Sequence, residues 1–294
     1  MRASKARFLI VGGDSGIGAA LSLAVAARGN AVLNTSRKRD AGNFHLDLAD
    51  MSGMPEPEGE FSCAFICAAR SGFADCEQYP HDTFRVNVEG TLAVARALLE
   101  KGCFVVFLSS SAVFDGSAPW PNEFSEPHPT TEYGRQKAAA EKRLIELDEG
   151  RGLVAIVRLT KVLTETTPAI ARFSEHIRNK ASFEAFSDLR FSPLSLRYVV
   201  ESLLKIASMK AGGVFHLSGD SELSYADFAK RMAAGMNVDP GLVGDTNSSS
   251  LQIHFRPKFP GLGMARTAET IGLKPEPLDI MIEGLLAGHR QPWQ

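Results

Sequence analysis

A tyrosine and a lysine near the middle of the chain have the spacing of a proton-transfer pair. Tyr133 and Lys137 are four residues apart, so on a helix they share one face. A phenol has an ordinary pKa of about 10, but a neighbouring ammonium stabilises the phenolate and lowers that pKa. The same pair could also be an ordinary exposed start of a helix, so the residues around it must decide. We predict that Tyr133 and Lys137 act together in catalysis.

Three consecutive serines precede this pair. Ser109, Ser110 and Ser111 follow the apolar run Phe104-Val105-Val106-Phe107-Leu108, which predicts a buried strand. Ligands of parallel sheets bind at the carboxyl ends of the strands. A serine hydroxyl there could donate a hydrogen bond to a substrate oxygen as its charge changes. The sequence therefore predicts a Ser–Tyr–Lys group, with the serine drawn from this run.

A glycine-rich loop near the amino terminus predicts a dinucleotide site. The run from Val11 to Gly18 follows an apolar strand and opens a helix. Glycines there allow positive φ and let backbone amides approach a pyrophosphate at the helix N-terminus. A plain tight turn would also contain glycine, but its place between a strand and a helix favours the dinucleotide. The predicted contacts are Gly12, Gly13, Ser15, Gly16, Ile17 and Gly18.

The residues after the second predicted strand favour NADP(H). Arg37 and Lys38 stand where an acidic residue would hold the adenosine ribose, and the first acid is Asp40. Guanidinium and ammonium groups pair with a 2′-phosphate. A solvated basic turn is the alternative, and NAD(H) stays open. Further predicted cofactor contacts are Asp47 and Leu48 near the adenine, Cys67, Ala68 and Ala69 after the fourth strand, and Tyr133 and Lys137 themselves.

Strand-like and helix-like segments alternate through the first half of the chain. Near-continuous apolar strands separated by helices predict an α/β fold, a doubly wound parallel sheet of the Rossmann type. We predict that residues 1–165 form this NADP-binding domain. Residues 166–294 would form a smaller, irregular substrate-binding cap with isolated strands such as 214–217, and a helix near 196–208 would pack back on the first domain. A helical stretch is predicted over residues 82–100.

Composition excludes several classes of function. The chain has 294 residues and a net charge of −2, so no basic surface indicates nucleic acid. The apolar runs are too short to span a membrane, and the amino terminus lacks the pattern of a signal peptide, which predicts a cytoplasmic protein. Cys63, Cys67, Cys76 and Cys103 have no metal-ligand spacing, so no metal site is expected.

The motifs together resemble the extended short-chain dehydrogenase/reductase family, the NAD-dependent epimerase/dehydratase group, and within it the dTDP-4-dehydrorhamnose reductase branch. The run Tyr133-Gly134-x-x-Lys137-x-x-x-Glu141 matches a family motif. The family places its catalytic Ser or Thr ahead of a Val-Tyr or Val-Phe pair, here Val113-Phe114, which selects Ser110. The resemblance implies a Ser110, Tyr133 and Lys137 mechanism, a nucleotide-sugar substrate touched by Ser110 and Ser111, and an arginine for its diphosphate at Arg190. The resemblance does not decide whether the protein forms a homodimer.

Departures from the family narrow the predicted reaction. Ser111 and Ala112 stand where the family's dehydratases carry an Asp-Glu pair, which argues against dehydration. The principal hypothesis is an NADP(H)-dependent reductase of a keto group in a nucleotide sugar or a similar carbonyl. One alternative is a nucleotide-sugar epimerase that oxidises its substrate transiently. Another is a non-catalytic NADP(H)-binding regulatory protein.

Overall fold

The computed structural model describes residues 6–39, 43–51 and 60–287. Its strands are β1 (Arg7–Val11), β2 (Ala31–Ser36), β3 (Phe44–His45), β4 (Cys63–Ile66), β5 (Phe104–Ser110), β6 (Val154–Leu159), β7 (Lys161–Leu163), β8 (Phe183–Phe186), β9 (Arg190–Phe191), β10 (Pro193–Ser195), β11 (Gly213–Leu217), β12 (Leu223–Ser224) and β13 (Val243–Thr246). Its α-helices are α1 (Gly16–Ala27), α2 (Phe73–Gln78), α3 (Pro80–Phe84), α4 (Thr91–Glu100), α5 (Glu132–Asp148), α6 (Pro168–Arg178), α7 (Leu196–Met209), α8 (Tyr225–Gly235), α9 (Ala265–Ile271) and α10 (Leu278–Leu286).

A seven-stranded sheet forms the centre of the molecule, in the order β11-β6-β5-β4-β1-β2-β3. Every pairing in it is parallel. Helices α1 and α7 cover one face, and α4 and α5 cover the other. Burial on both faces explains why the strands read as continuous apolar runs in the sequence. The predicted doubly wound Rossmann-type fold is confirmed.

The second half of the chain contributes to this sheet. The segment 214–217, expected as an isolated strand, lies in β11 and pairs with β6 along its full length. Phe215 and Leu217 are completely buried against the same face as α7. Helix α7, in the region expected near residues 196–208, packs on α1 and on the sheet. The division into residues 1–165 and 166–294 stays a prediction.

The predicted helix over residues 82–100 is interrupted. Helix α3 ends at Phe84, a turn of π-helix covers Arg85–Gly90, and α4 continues from Thr91. The buried carboxamide of Asn87 accepts a hydrogen bond from the Arg70 backbone amide (2.8 Å) and donates one to the Arg70 carbonyl (2.9 Å). These long-range bonds join the π-helical turn to the loop after β4, and local propensity does not predict them.

The later part of the chain also has an apolar core of its own. Helices α6, α8 and α10 pack with β8 and β13 around Phe173, Phe228 and Met232. This subdomain lies beyond the carboxyl ends of β5 and β6, where the serine run ends. No helix among the described residues is both long and apolar enough to cross a membrane.

Candidate active site

The glycine loop between β1 and α1 is a tight turn held by its own contacts. Gly12 has a φ of +83°, and a methyl group on it would lie 2.8 Å from the backbone of Ala68. The Ser15 hydroxyl donates to the Gly12 carbonyl (2.7 Å) and accepts from the Gly18 amide (3.1 Å), which caps α1. A methyl group on Gly18 would lie 2.2 Å from the Gly12 oxygen. Contacts within the protein therefore require glycine at both positions.

Gly16 differs, because nothing in the protein requires glycine there. A methyl group on Gly16 would meet no atom within 4 Å. Gly16 is the first residue of α1, where backbone amides and the helix dipole favour an anion. The absent side chain leaves open space in front of these amides. This geometry fits the pyrophosphate of a dinucleotide.

A cleft of about 1020 Å³ runs from this loop across the carboxyl edge of the sheet. Most of the predicted cofactor residues line it: Gly12, Ser15, Gly16, Ile17, Arg37, Asp47, Leu48, Cys67, Ala68, Ala69, Tyr133 and Lys137. Three do not. Gly13 lies against Asn34, Gly18 lies beneath the loop, and the Lys38 side chain is exposed beside the cleft.

The end of β2 carries a feature that the sequence did not reveal. The buried Ser36 hydroxyl donates to the Asp14 carboxylate (3.1 Å) and accepts from the Lys38 amide (3.0 Å). Asp14 belongs to the glycine loop and lines the cleft beside Arg37. A carboxylate therefore lies close to the predicted 2′-phosphate position, although β2 itself ends without an acid. Asp40 lies outside the described residues.

Tyr133 and Lys137 occupy the first turns of α5, and both are buried. Thr131 caps the helix by accepting a hydrogen bond from the Gly134 amide (3.1 Å). The Lys137 ammonium donates to the Leu108 carbonyl (2.8 Å) and lies 5.9 Å from the centre of the Tyr133 ring. Burial lowers the pKa of Lys137 to about 8, against the opposing charge of Glu141. A neighbouring ammonium was expected to lower the pKa of Tyr133, but burial raises it instead, so the phenol carries its proton at neutral pH.

The three serines at the end of β5 have different environments. Ser110 and Ser111 line a second cavity of about 830 Å³, together with Tyr133. The Ser110 oxygen accepts from the Ala112 amide (3.1 Å), which leaves its proton free to donate. Ser109 donates to the Glu141 carboxylate (2.5 Å). Ser110, Tyr133 and Lys137 are thus brought to one place, at the junction of the two cavities.

Two aromatic side chains that the sequence did not indicate cover Tyr133. The Phe73 ring meets the Tyr133 ring edge-on, with centroids 5.4 Å apart. Phe255 stacks on Phe73 at 5.7 Å and comes from the loop before α9. Both rings pack against the small apolar cluster that contains Tyr133, whose burial raises the pKa of its phenol. No local pattern around Phe255 could have predicted this contact.

The second cavity also contains cations in different states of pairing. Arg190, the predicted diphosphate ligand, lines it and donates to the Glu222 carbonyl (3.1 Å). Arg256 pairs with the Asp188 carboxylate (3.3 Å). Lys161 lines the cavity with an exposed side chain and has no carboxylate within salt-bridge distance among the described residues. Beside it, the Thr160 hydroxyl is buried without a hydrogen-bond partner in the described part of the chain.

Lys161 and Thr160 directly follow β6, the neighbour of β5. Ser110 and Leu159 are register partners, so the two residues after Leu159 lie next to the serine run. The sequence could have indicated Thr160 and Lys161, because residues that follow adjacent parallel strands lie at the same edge of the sheet. A cation and a hydroxyl that both lack partners in the part of the chain that the structure describes suit a polar, anionic ligand at this edge.

Comparisons with known proteins agree with this geometry. A family model described as "RmlD substrate binding domain" matches residues 6–288. The dTDP-4-dehydrorhamnose reductase of Streptomyces griseus is 26% identical over 281 residues, which cover 92% of this chain and 89% of that protein. The methionine adenosyltransferase 2 subunit beta of Xenopus laevis is 25% identical over 241 residues, 78% of this chain and 66% of that protein. This chain thus spans slightly less than two thirds of that relative's length.

A solved structure shows the same fold. The crystal structure of dTDP-4-dehydrorhamnose reductase from Bacillus anthracis str. Ames, in complex with NADP, has a TM-score of 0.85. It is 21% identical and covers 98% of this chain and 99% of its own. The resemblance inferred from the Tyr133–Glu141 motif is confirmed. The chain belongs to the RmlD substrate-binding domain family, within the extended short-chain dehydrogenases/reductases.

Proposed function

We propose that this protein is an NADP(H)-dependent oxidoreductase that reduces a keto group of a nucleotide sugar or a similar carbonyl compound. The observation that carries the proposal is the position of Tyr133, whose side chain lines both the glycine-loop cleft and the second cavity. A proton donor at that junction can act on a substrate held on one side and a cofactor held on the other. The solved relative with NADP and the Streptomyces griseus reductase support the same assignment.

The chain's own residues supply proton transfer and orientation. A bound reduced nicotinamide would supply the hydride to the carbonyl carbon. Tyr133 donates its proton to the carbonyl oxygen, and Ser110 donates a hydrogen bond to that oxygen as negative charge develops. The Lys137 ammonium then stabilises the phenolate. Gly16 and the amides of α1 would hold the pyrophosphate, and Asp47 and Leu48 would meet the adenine.

Elimination of water is not part of the proposed reaction. It would need an acid and a base placed at the substrate, and Ser111 and Ala112 provide neither. Asp188 is the carboxylate in the wall of the second cavity, and it is engaged by Arg256 and by the Ser248 amide (3.0 Å). Hydride transfer without elimination is the chemistry that these groups support.

Arg37→Ala should weaken NADPH binding roughly 10-fold while NADH binding changes little. The reason is that Arg37 lines the cleft at the end of β2, where its guanidinium can pair with a 2′-phosphate that NADH lacks. Fluorescence titration of both cofactors measures the effect. Arg39→Ala is the matched control, because Arg39 is exposed and does not line the cleft. Equal losses for NADPH and NADH would contradict the NADP(H) assignment.

Lys161→Met should raise the KM for a nucleotide sugar roughly 10-fold, with a smaller effect on kcat. Methionine keeps most of the side-chain volume and removes the charge that we assign to an anionic group of the substrate. Steady-state kinetics with saturating NADPH separate the two constants. Lys142→Met, an exposed lysine of α5, is the control. An unchanged KM would remove Lys161 from substrate binding.

One observation favours a second candidate function. The relatives include a protein named as a subunit of a methionine adenosyltransferase, so a related chain assembles with another protein. On that basis this chain could be a non-catalytic NADP(H)-binding regulatory protein. Its buried Tyr133 and Lys137 argue for catalysis, because a cofactor-binding scaffold has no need of an acid–base pair in a substrate cavity.

One experiment separates the candidates. Purified protein is incubated with NADPH and a panel of 4-keto nucleotide sugars, and NADPH oxidation and sugar products are both followed. Stoichiometric NADPH oxidation with a reduced sugar supports the reductase. An isomerised sugar without net NADPH oxidation identifies an epimerase. NADPH binding with no turnover on any member of the panel favours the regulatory protein.

A further inference from the structure

A row of buried polar residues crosses three neighbouring strands behind the catalytic group. Ser109 on β5 and Arg158 on β6 are register partners, and so are Arg158 and His216 on β11. All three are buried. An Arg158 guanidinium nitrogen lies 3.3 Å from Nε2 of His216. The row thus runs from β5, which carries Ser110, through β6 to the edge strand β11.

Glu141 of α5 joins this row to the catalytic helix. Its carboxylate accepts from the Ser109 hydroxyl (2.5 Å) and from two nitrogens of Arg158, Nε (3.1 Å) and Nη2 (2.7 Å). One turn earlier on the same helix, Lys137 donates to the Leu108 carbonyl. Successive turns of α5 are therefore bonded to successive residues of β5, immediately before Ser110.

A requirement for stability does not explain this arrangement. Two ions lose their hydration when they are buried, and apolar side chains of similar volume often stabilise a core at least as well. His216 adds no positive charge, since burial lowers its pKa to about 4 and it is neutral at physiological pH. The Glu141 carboxylate thus neutralises the charge of Arg158, and its negative charge also acts on Lys137, one turn earlier on α5.

We propose that Ser109, Glu141 and Arg158 are positioning residues, which fix Ser110 and Lys137 relative to Tyr133 and keep the Lys137 ammonium charged. The proposal rests on the proposed oxidoreductase function only for its kinetic consequence. The titratable groups that face Lys137 are Glu141 and Tyr133 on its own helix and the thiols of Cys67 and Cys76, and burial keeps the Tyr133 phenol neutral. Burial raises the pKa of both thiols, which leaves them neutral. Glu141 is accordingly the group whose charge opposes the desolvation of Lys137.

The test measures Lys137 directly, without substrate. The protein is labelled with ¹³C at the lysine ε-carbons, and the Lys137 signal is assigned by its loss in Lys137→Met. We expect Glu141→Gln to move the Lys137 titration midpoint downward by on the order of one pH unit. Glu146→Gln, the same substitution at an exposed site of α5, should leave the midpoint unchanged. An unchanged midpoint in folded Glu141→Gln would overturn the proposal.

Two further variants guard against a loss of folding. Glu141→Gln leaves Arg158 buried without a counter-ion, so the double variant Glu141→Gln/Arg158→Met removes both charges. Its Lys137 midpoint should still lie below that of the wild type, but by less than in the single variant, because the cation that also disfavours the Lys137 ammonium is gone. Ser109→Ala keeps the ion pair and removes the Ser109–Glu141 hydrogen bond, one of the two bonds described above between β5 and α5.

For Ser109→Ala we expect kcat to fall roughly 10- to 100-fold with little change in KM, since small displacements of catalytic groups have effects of this size. Unchanged kcat would contradict a positioning role for Ser109. A wild-type protein that reduces no substrate would instead defeat the proposed function and leave the titration result intact.

Discussion

Tyr133→Phe is expected to reduce kcat by about 10²- to 10⁴-fold and to leave NADPH affinity unchanged. The substitution removes one hydroxyl and keeps the ring that packs edge-on against Phe73. In the free protein burial holds the phenol in its protonated form, so the residue is prepared to donate a proton to a carbonyl oxygen. Phenylalanine leaves that oxygen without its donor. Turnover at saturating NADPH and substrate measures the loss, and fluorescence titration measures NADPH affinity.

The control for this variant is Tyr79→Phe, at an exposed tyrosine that lines neither cavity. It should behave as the wild type does in both measurements. If Tyr133→Phe kept full turnover, Tyr133 would have no part in proton transfer and the Ser–Tyr–Lys mechanism would be wrong. If it lost NADPH affinity as well as turnover, the hydroxyl would serve chiefly in cofactor binding.

The sheet could be predicted from the sequence because its strands are buried on both faces. Runs such as Phe104–Leu108 have no polar interruption, and the glycine loop follows the first such run at once. The break in the predicted helix 82–100 could not be predicted in the same way. It depends on Asn87, whose partners in the loop at Arg70 become neighbours only after β4 and α4 have packed. The place of β11 beside β6 is equally non-local.

The candidate site, too, could be predicted only in part from the sequence. The spacing of Tyr133 and Lys137 along one helix predicts a shared face, and the structure places both in the cleft. The alternation of side chains along β5 separates Ser110 from Ser109. In contrast, the aromatic cover from Phe255 comes from a distant segment, and the lack of an ion-pair partner for Lys161 within the described ranges shows only in the folded chain. Whether a cation forms an ion pair depends on which residues surround it after folding. The sequence could therefore name cations such as Arg190 without showing which of them lack a partner.

The contact between Gly134 and the serine turn leads to the second large expected effect. A methyl group on Gly134 would lie 2.1 Å from the Ala112 carbonyl oxygen and 3.0 Å from Pro129. Neither neighbour is the flexible end of a side chain, so the start of α5 would have to move away from the turn that follows Ser110. Alanine at an exposed helix position is normally favoured over glycine by about 0.5–1 kcal/mol. At Gly134 the added methyl group would be overpacked, so we expect alanine to destabilise the protein.

Gly134→Ala should therefore destabilise the protein by about 1–3 kcal/mol and reduce kcat by roughly 100-fold in the fraction that folds. The kinetic loss follows because Tyr133, the adjacent residue, would shift relative to Ser110. Urea denaturation gives the free energy of unfolding, and turnover per folded protein gives kcat. Gly235→Ala is the matched control, since the atoms that a methyl group would meet at that helix end are side-chain methyls of Leu286 (3.0 Å) and Ile282 (3.7 Å), with no backbone atom among them. Wild-type stability and turnover in Gly134→Ala would mean that α5 does not need this close approach to hold Tyr133 in place.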